Sequence, residues 1–514
     1  MPPTALTRPT WSIAAAWTLA LGCSHSEQGP ASSSPSAKPS ASVAAVQAAP
    51  PEVAKAATGP TTTPEPAAAV PPGPRVYAKS RFVWIREFPS AELQWIGYLW
   101  TGGSVALRSD KVHYGPGCET WYAIEPRGFV CVDGKRATLD PNDPVLRALA
   151  PHAPDLATAW PHAYGESRGL PRYTQLPKLE DAPAVLKPAS VASETATAFL
   201  ARARLDRDPF SLVTLPQTVY EGRTRLLPQS TVAYSSELAR DDGSYLLAAD
   251  MTWVPKKLVK PYEQVTFKGV ELGQGAKLPL AFFRGSDRPQ YVRGSDGSFS
   301  PNGKSFARLS HVALSGESVR VDEDEYLGVA GSPLFVKKSE AVVPEPRGTT
   351  PWGTKVGDAD RTGLPEGKRA TWMEASVWGG WLIAYEGNTP VYVTLISPGR
   401  GGTPVPGKDP LETASTPTGT FPISGKFATA TMEAPGEYIH SDVPWTQNFS
   451  GPHALHGAYW HNDWGKLKSA GCVNVSPIDG RWLYEFTEPA VPPGWHGVRW
   501  VPSKGPATTF VVHR

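Results

Sequence analysis

The chain has 514 residues, enough for roughly two to four domains rather than a single core. Its 50 Lys and Arg against 48 Asp and Glu leave a formal net charge of +2, which, with no dense basic stripe, excludes nucleic acid as a partner. Charged residues are only 19% while Gly (48), Pro (55) and Trp (18) abound, a turn-rich composition that predicts a mostly β, multidomain protein.

The N-terminus reads as an export signal. Arg8 precedes the apolar run Trp11–Leu21, which is too short to span a bilayer and sits where the core of a signal peptide belongs. Ala20-Leu21-Gly22-Cys23 resembles the bacterial lipobox, which implies a signal peptide over 1–22 and lipidation of Cys23. A plain secretory signal is the alternative. From Ser24 to about residue 75 the chain is Pro, Ala, Ser and Thr with few large apolar residues, so 23–75 is expected to be a disordered tether.

Short strand-like runs follow at Arg81–Arg86, Gln94–Trp100 and Ser104–Arg108, with Gly102-Gly103 as the turn between the last two. Ile96-Gly97-Tyr98-Leu99 and Gly103-Ser104-Val105 resemble the bacterial SH3-like barrel, which implies an SH3-like domain over 76–150. In an oxidising compartment Cys118 and Cys131 are the obvious disulfide pair.

Residues 151–365 form a mixed, mostly β middle region of unread role. Ser190–Arg204 predicts a helix, and Ser244–Val254, Leu278–Phe283 and Ser332–Lys337 predict strands. Asp322–Glu325 lacks the spacing of a calcium loop and reads as a solvated turn. Gly303-Lys304-Ser305 is not a phosphate loop, because Ser298 stands where the leading glycine belongs.

The strand signal sharpens over 366–514. Thr371–Trp378, a Gly379-Gly380 turn, Trp381–Tyr385, a Gly387-Asn388 turn and Val391–Ser397 predict a three-stranded meander. Further on, His456-Gly457 precedes Ser469-Ala470-Gly471-Cys472-Val473-Asn474, with sixteen residues from the histidine to the cysteine. A cysteine in a Gly-Cys turn with a histidine in the same strand-loop unit is the minimum equipment for thiolate acyl transfer. His453, His461 and Asp463 raise a metal site, but their spacing follows no zinc pattern, so no metal or other cofactor is expected.

Two marks in this part resemble the L,D-transpeptidase (YkuD) family of peptidoglycan enzymes: Thr416-Pro-Thr-Gly-Thr-Phe-Pro-Ile423, and the His456-Gly457 and Ser469–Asn474 signature. The resemblance covers roughly residues 370–500 and implies a YkuD-type β-sandwich or barrel catalytic domain over 366–514. It implies that Cys472 is the nucleophile toward stem peptides, that His456 is the base, oriented by the Gly457 carbonyl, and that amides around Gly471 and Cys472 bind the oxyanion. Tyr438, Ser469 and Asn474 are the implied substrate-side residues. His461 is placed with Asp463 at the cleft mouth, and Ser469 is also expected to fix the turn by hydrogen bonding. Many members carry histidine where this chain has Ala470; the base is the upstream histidine, so activity is still expected. The whole reads as a lipid-anchored enzyme of the bacterial cell envelope, facing the periplasm. It forms 3→3 crosslinks or attaches a protein to the wall, with an L,D-carboxypeptidase or an inactive peptidoglycan-binding scaffold as alternatives.

Overall fold

The computed structural model describes residues 73–178, 204–205, 207–213, 224–273, 275–357, 370–433 and 439–514. The signal, Cys23, the tether up to residue 72 and Tyr438 lie outside these residues, while Arg75, where the tether is expected to end, begins a strand. So does the helix expected over 190–204, except Arg204, which begins a two-residue strand. No helix among the described residues is long and apolar enough to cross a membrane.

Strand follows strand from the start. β1 (Arg75–Ala78), β2 (Val83–Arg86), β3 (Trp95–Leu99), β4 (Ser104–Gly115), β5 (Cys118–Ile124), β6 (Phe129–Cys131) and β7 (Ala137–Thr138) pair antiparallel in the order β3-β2-β6-β5-β4-β1-β7. Alternation decides the faces: Val83 and Ile85 are buried, while Trp84 and Arg86 point the other way. Cys118 and Cys131 are joined by a disulfide with a Cα–Cα separation of 6.0 Å. Gly102-Gly103 does not close a hairpin, since β3 and β4 are not neighbours. Gly102 N–H donates to Ala78 O and Ala78 N–H to Gly103 O, so the corner delivers the chain onto β1 instead.

The middle region builds two separate sheets. β8 (Ala163–Pro171), β9 (Arg204–Leu205), β10 (Arg225–Arg240), β11 (Gly243–Ala248), β12 (Trp253–Pro255) and β13 (Val259–Pro261) form one, with β9 beside β10. The strand expected over Ser244–Val254 is two strands, because the Asp250 carboxylate accepts from Thr252 N–H and Oγ1 and turns the chain between β11 and β12. β14 (Val270–Glu271) leaves to join the C-terminal sheet. β15 (Leu280–Phe282), β16 (Arg288–Arg293), β17 (Phe299–Phe306), β18 (His311–Val321), β19 (Asp324–Val329) and β20 (Leu334–Lys337) form the other. The acidic run lies at the β18–β19 tip, where Asp324 and Glu325 pair with Lys337 and Lys338.

The meander appears as read: β21 (Thr371–Ser376), β22 (Trp381–Glu386) and β23 (Thr389–Leu395). With β24 (Gly419–Pro422) and β30 (Thr509–His513) they make the sheet β14-β23-β22-β21-β30-β24. Against it lie β25 (Gly425–Glu433), β26 (Ile439–Ser450), β27 (His453–Gly457), β28 (Val473–Val475) and β29 (Gly497–Arg499). The core between the layers holds Met373, Leu382, Ile396, Leu455, Val473, Val475, Leu483 and Phe510, all fully buried. The second layer does not end at β29. Gly497 and Val498 pair with Tyr98 and Gly97 of β3, so the N-terminal strands and the C-terminal layer share one twelve-stranded sheet. Gly97 is required there, since a Cβ would stand 2.3 Å from the Trp495 ring.

Candidate active site

β27 and β28 run parallel, with Leu455 opposite Val473, His456 opposite Asn474 and Gly457 opposite Val475. A parallel pair needs a crossover, and here it is the loop that ends in the Gly-Cys turn. Cys472 is the last residue before β28. Ser469 Oγ accepts the Gly471 N–H at 3.1 Å and donates to the Cys472 carbonyl at 2.5 Å, which closes the turn. Outside the turn, Ser469 N–H donates to Pro398 O and Arg400 N–H to Ser469 O, while Ser397 and Asn474 exchange both backbone bonds. Thr416, first residue of the Thr-Pro segment, accepts the Gly399 N–H at 2.8 Å and holds the adjoining strand end.

Gly471 has φ 127, and a Cβ there would meet His453 Nε2 at 2.8 Å and Ser415 O at 2.9 Å. Only glycine fits. Its N–H, expected at the oxyanion, is instead engaged by Ser469, because a serine two residues earlier captures it. The Ser469 hydroxyl is likewise held inside the turn, not turned toward a substrate.

The His456 ring is buried, and its Nδ1–H donates to the Gly457 carbonyl at 3.2 Å. That bond selects the tautomer with the lone pair on Nε2. Burial lowers its pKa from 6.5 to about 4, so the imidazole is neutral at pH 7. Cys472 lies in an apolar cluster with Met432, Val443 and Ala454, with Trp460 against it. The Trp460 ring stacks on His440 at 4.0 Å and tilts toward His456 at 5.7 Å.

His461 is half-buried beside Asn474. Its Nε2 lies 3.1 Å from the Asn474 carboxamide, its Nδ1 accepts the Asp463 N–H, and burial pushes its pKa down to about 3. The loop folds inward there, so His461 backs Asn474, while Asp463 bonds Lys468 at the rim. His453 points to the opposite strand face from His456, as a three-residue offset requires, and its Nδ1–H donates to Ser450 O. Among the described residues, no group of three or more His, Cys, Asp or Glu is placed to hold a metal ion.

Sequence reading passed over Asp479, on the helix Pro477–Phe486 that follows β28. Fully buried, it accepts from Gly269 N–H, the Tyr392 hydroxyl and the Thr394 hydroxyl at 2.6–2.7 Å, tying helix, sheet and the β14 approach together. Ser476-Pro-Ile-Asp479, a capping-box pattern, was the available signal. His440 and Trp460 carry no motif.

Residues 381–501 match the model of the YkuD family, the L,D-transpeptidase catalytic domain. This part of the chain is a YkuD catalytic domain. The match runs from β22 to β29 and contains His456 and Cys472, while β14, β21 and β30 complete its sheet from outside. No curated protein matches the chain. Among solved structures, it is similar to an L,D-transpeptidase from Xylanimonas cellulosilytica (19% identity, 29% of this chain and 63% of that one, TM-score 0.20). It is also similar to one from Stackebrandtia nassauensis (21% identity, 30% and 61%, TM-score 0.19). A third, from Mycobacterium smegmatis, is 16% identical over 50% of this chain and 89% of that one, with a TM-score of 0.21. The chain thus spans 63% and 61% of the first two structures' own lengths.

Proposed function

We propose that the chain is a peptidoglycan L,D-transpeptidase working through a thioester at Cys472. Cys472 Sγ attacks the amide carbonyl ahead of the terminal D-alanine of a tetrapeptide stem. His456 Nε2 takes the thiol proton and passes it to the departing amine. An amine of a neighbouring stem, or a protein lysine, then attacks the thioester, gives its proton to His456 and restores the thiol. The observation that carries this reading is the His456 Nδ1–H bond to Gly457 O, which leaves Nε2 as the proton acceptor on the strand paired with the one Cys472 leads into.

Intact-mass spectrometry after carbapenem treatment tests it: the wild type gains one adduct at Cys472, and an unmodified Cys472 sinks the nucleophile assignment. Muropeptide analysis separates the acceptors, since water in place of an amine makes an L,D-carboxypeptidase. Ala470 is the feature that favours an inactive wall-binding scaffold, which predicts binding to sacculi without turnover. The same reading places the protein in the bacterial cell envelope, facing the periplasm. Lipid on Cys23 is the proposed membrane anchor.

A further inference from the structure

The loop from β27 to the nucleophile turn takes several anchors from outside the YkuD domain. On one side Thr231 of β10, Tyr459 and Ser441 of β26 close a polar ring. The Thr231 hydroxyl lies 2.5 Å from the Tyr459 hydroxyl, Tyr459 donates to Ser441 O at 2.6 Å, and Ser441 N–H donates to Thr231 Oγ1 at 3.0 Å. Tyr164 of β8 stacks on Tyr459 at 3.8 Å and donates to Asp442 O at 3.0 Å. On the other side, Arg284 donates to Gly465 O and Arg308 to Asn462 O. Trp464 of the same loop is buried in a cluster with Phe267, Leu280 and Phe282. Trp460 sits between the two clamps, edge-on to Tyr459 at 4.9 Å and against both His440 and His456.

We propose that the middle region is a brace for the active site, in which Thr231, Tyr164, Arg284 and Arg308 are positioning residues that hold residues 459–465 so that Trp460 shields His456 from water. Its chemistry rests on the transferase reading; its geometry does not. The Thr231 hydroxyl is buried, and removing it leaves the Ser441 N–H without its acceptor and opens the polar ring, while Tyr459 keeps only its bond to Ser441 O. A loop released at either clamp lets water reach His456, and the burial that depresses its basicity is lost. The titratable groups coupled to His456 are His440 on β26 and His461 on the loop. Asp463 and Lys468 act on His461, and Asp479 on the helix beside β27 turns to Tyr392 and Thr394.

The test uses the full chain with Thr231→Val, Thr231→Ser and Arg308→Gln, following Cys472 acylation by a carbapenem from pH 5 to 9. Thr231→Val and Arg308→Gln are expected to slow acylation roughly tenfold or more and to raise the acid limb of the profile toward 6.5, while Thr231→Ser keeps both. The brace is overturned if both variants keep the wild-type melting temperature, rate and acid limb. Should Thr231→Val fail to fold, Arg308→Gln alone decides, since it touches a separate clamp. Iodoacetamide alkylation of Cys472, read by mass, keeps the two proposals apart. A wild type that takes no carbapenem defeats the transferase reading, yet an alkylation midpoint displaced in the variants still supports the brace, and an undisplaced one overturns it.

Discussion

His456 stands directly opposite Asn474 across the parallel β27–β28 pair, with His461 closing behind the Asn474 carboxamide. His456, Asn474 and the Cys472 thiol are therefore placed by backbone register rather than by side-chain reach. His456→Ala keeps that register and removes the proton acceptor. Carbapenem acylation of this variant is expected to fall by about 10²–10⁴ at pH 7, with near wild-type melting; an acylation rate within threefold of wild type would remove His456 from the mechanism.

Gly471→Ala tests the turn itself. The added methyl collides with the His453 ring and the Ser415 carbonyl at a φ of 127. The turn has to move, and Cys472 moves with it. Acylation should drop at least about 10²-fold, while alkylation by a small reagent persists and shows that the thiol is still present.

Acid sensitivity follows from the buried histidines. His162 and His456 are held near 4, and His440, His461 and His496 near 3, in each case chiefly by burial. In the unfolded chain they take protons near 6.5, so below that pH the unfolded state binds more protons than the folded one. Above 6.5 the rings are neutral in both states and the proton linkage vanishes, while stability falls as pH drops from 6.5 toward 4, by roughly 1.4 kcal/mol per pH unit for each histidine. Urea midpoints at pH 8 and pH 5 measure this. His162→Phe, which removes two buried ring nitrogens that have no hydrogen-bond partner among the described residues, should make the pH 5 loss smaller; an unchanged or larger loss contradicts the assignment.

Asp479 is the most exposed to a single substitution in terms of energy. Asp479→Ala leaves Gly269 N–H and the Tyr392 hydroxyl without this acceptor in a buried site and the Thr394 hydroxyl with only its long bond to Leu395 O, at a cost of about 3 kcal/mol or more. Asp479→Asn keeps an oxygen for Gly269 and Tyr392 and turns its amide to Thr394, so its loss should be less than half as large. Chemical denaturation of the two variants side by side gives the comparison, and equal losses would contradict this bonding pattern.

Local signals were readable where local physics dominates. The β21–β23 meander follows from alternating apolar residues and two glycine turns, and the Cys118–Cys131 pair from compartment and proximity. The β11–β12 break was hidden because Asp250 and Thr252 make their turn inside an apolar run. Gly102-Gly103 was legible as the turn after β3, but glycine marks a corner without saying which strand the chain meets next.

The candidate site divides the same way. Cys472, His456, Gly457 and Gly471 stand out in the sequence because their chemistry demands particular residue types at short spacing. Tertiary structure alone decided that Gly471 N–H faces Ser469, that His461 backs Asn474, and that Thr231, Tyr164 and two arginines from the middle region reach the catalytic loop. Those contacts join residues up to some three hundred positions apart through burial and hydrogen-bond satisfaction, and neither leaves a periodic trace in a single chain. The sequence determined that a histidine precedes a Gly-Cys turn at short spacing; folding decided their register and what packs around them.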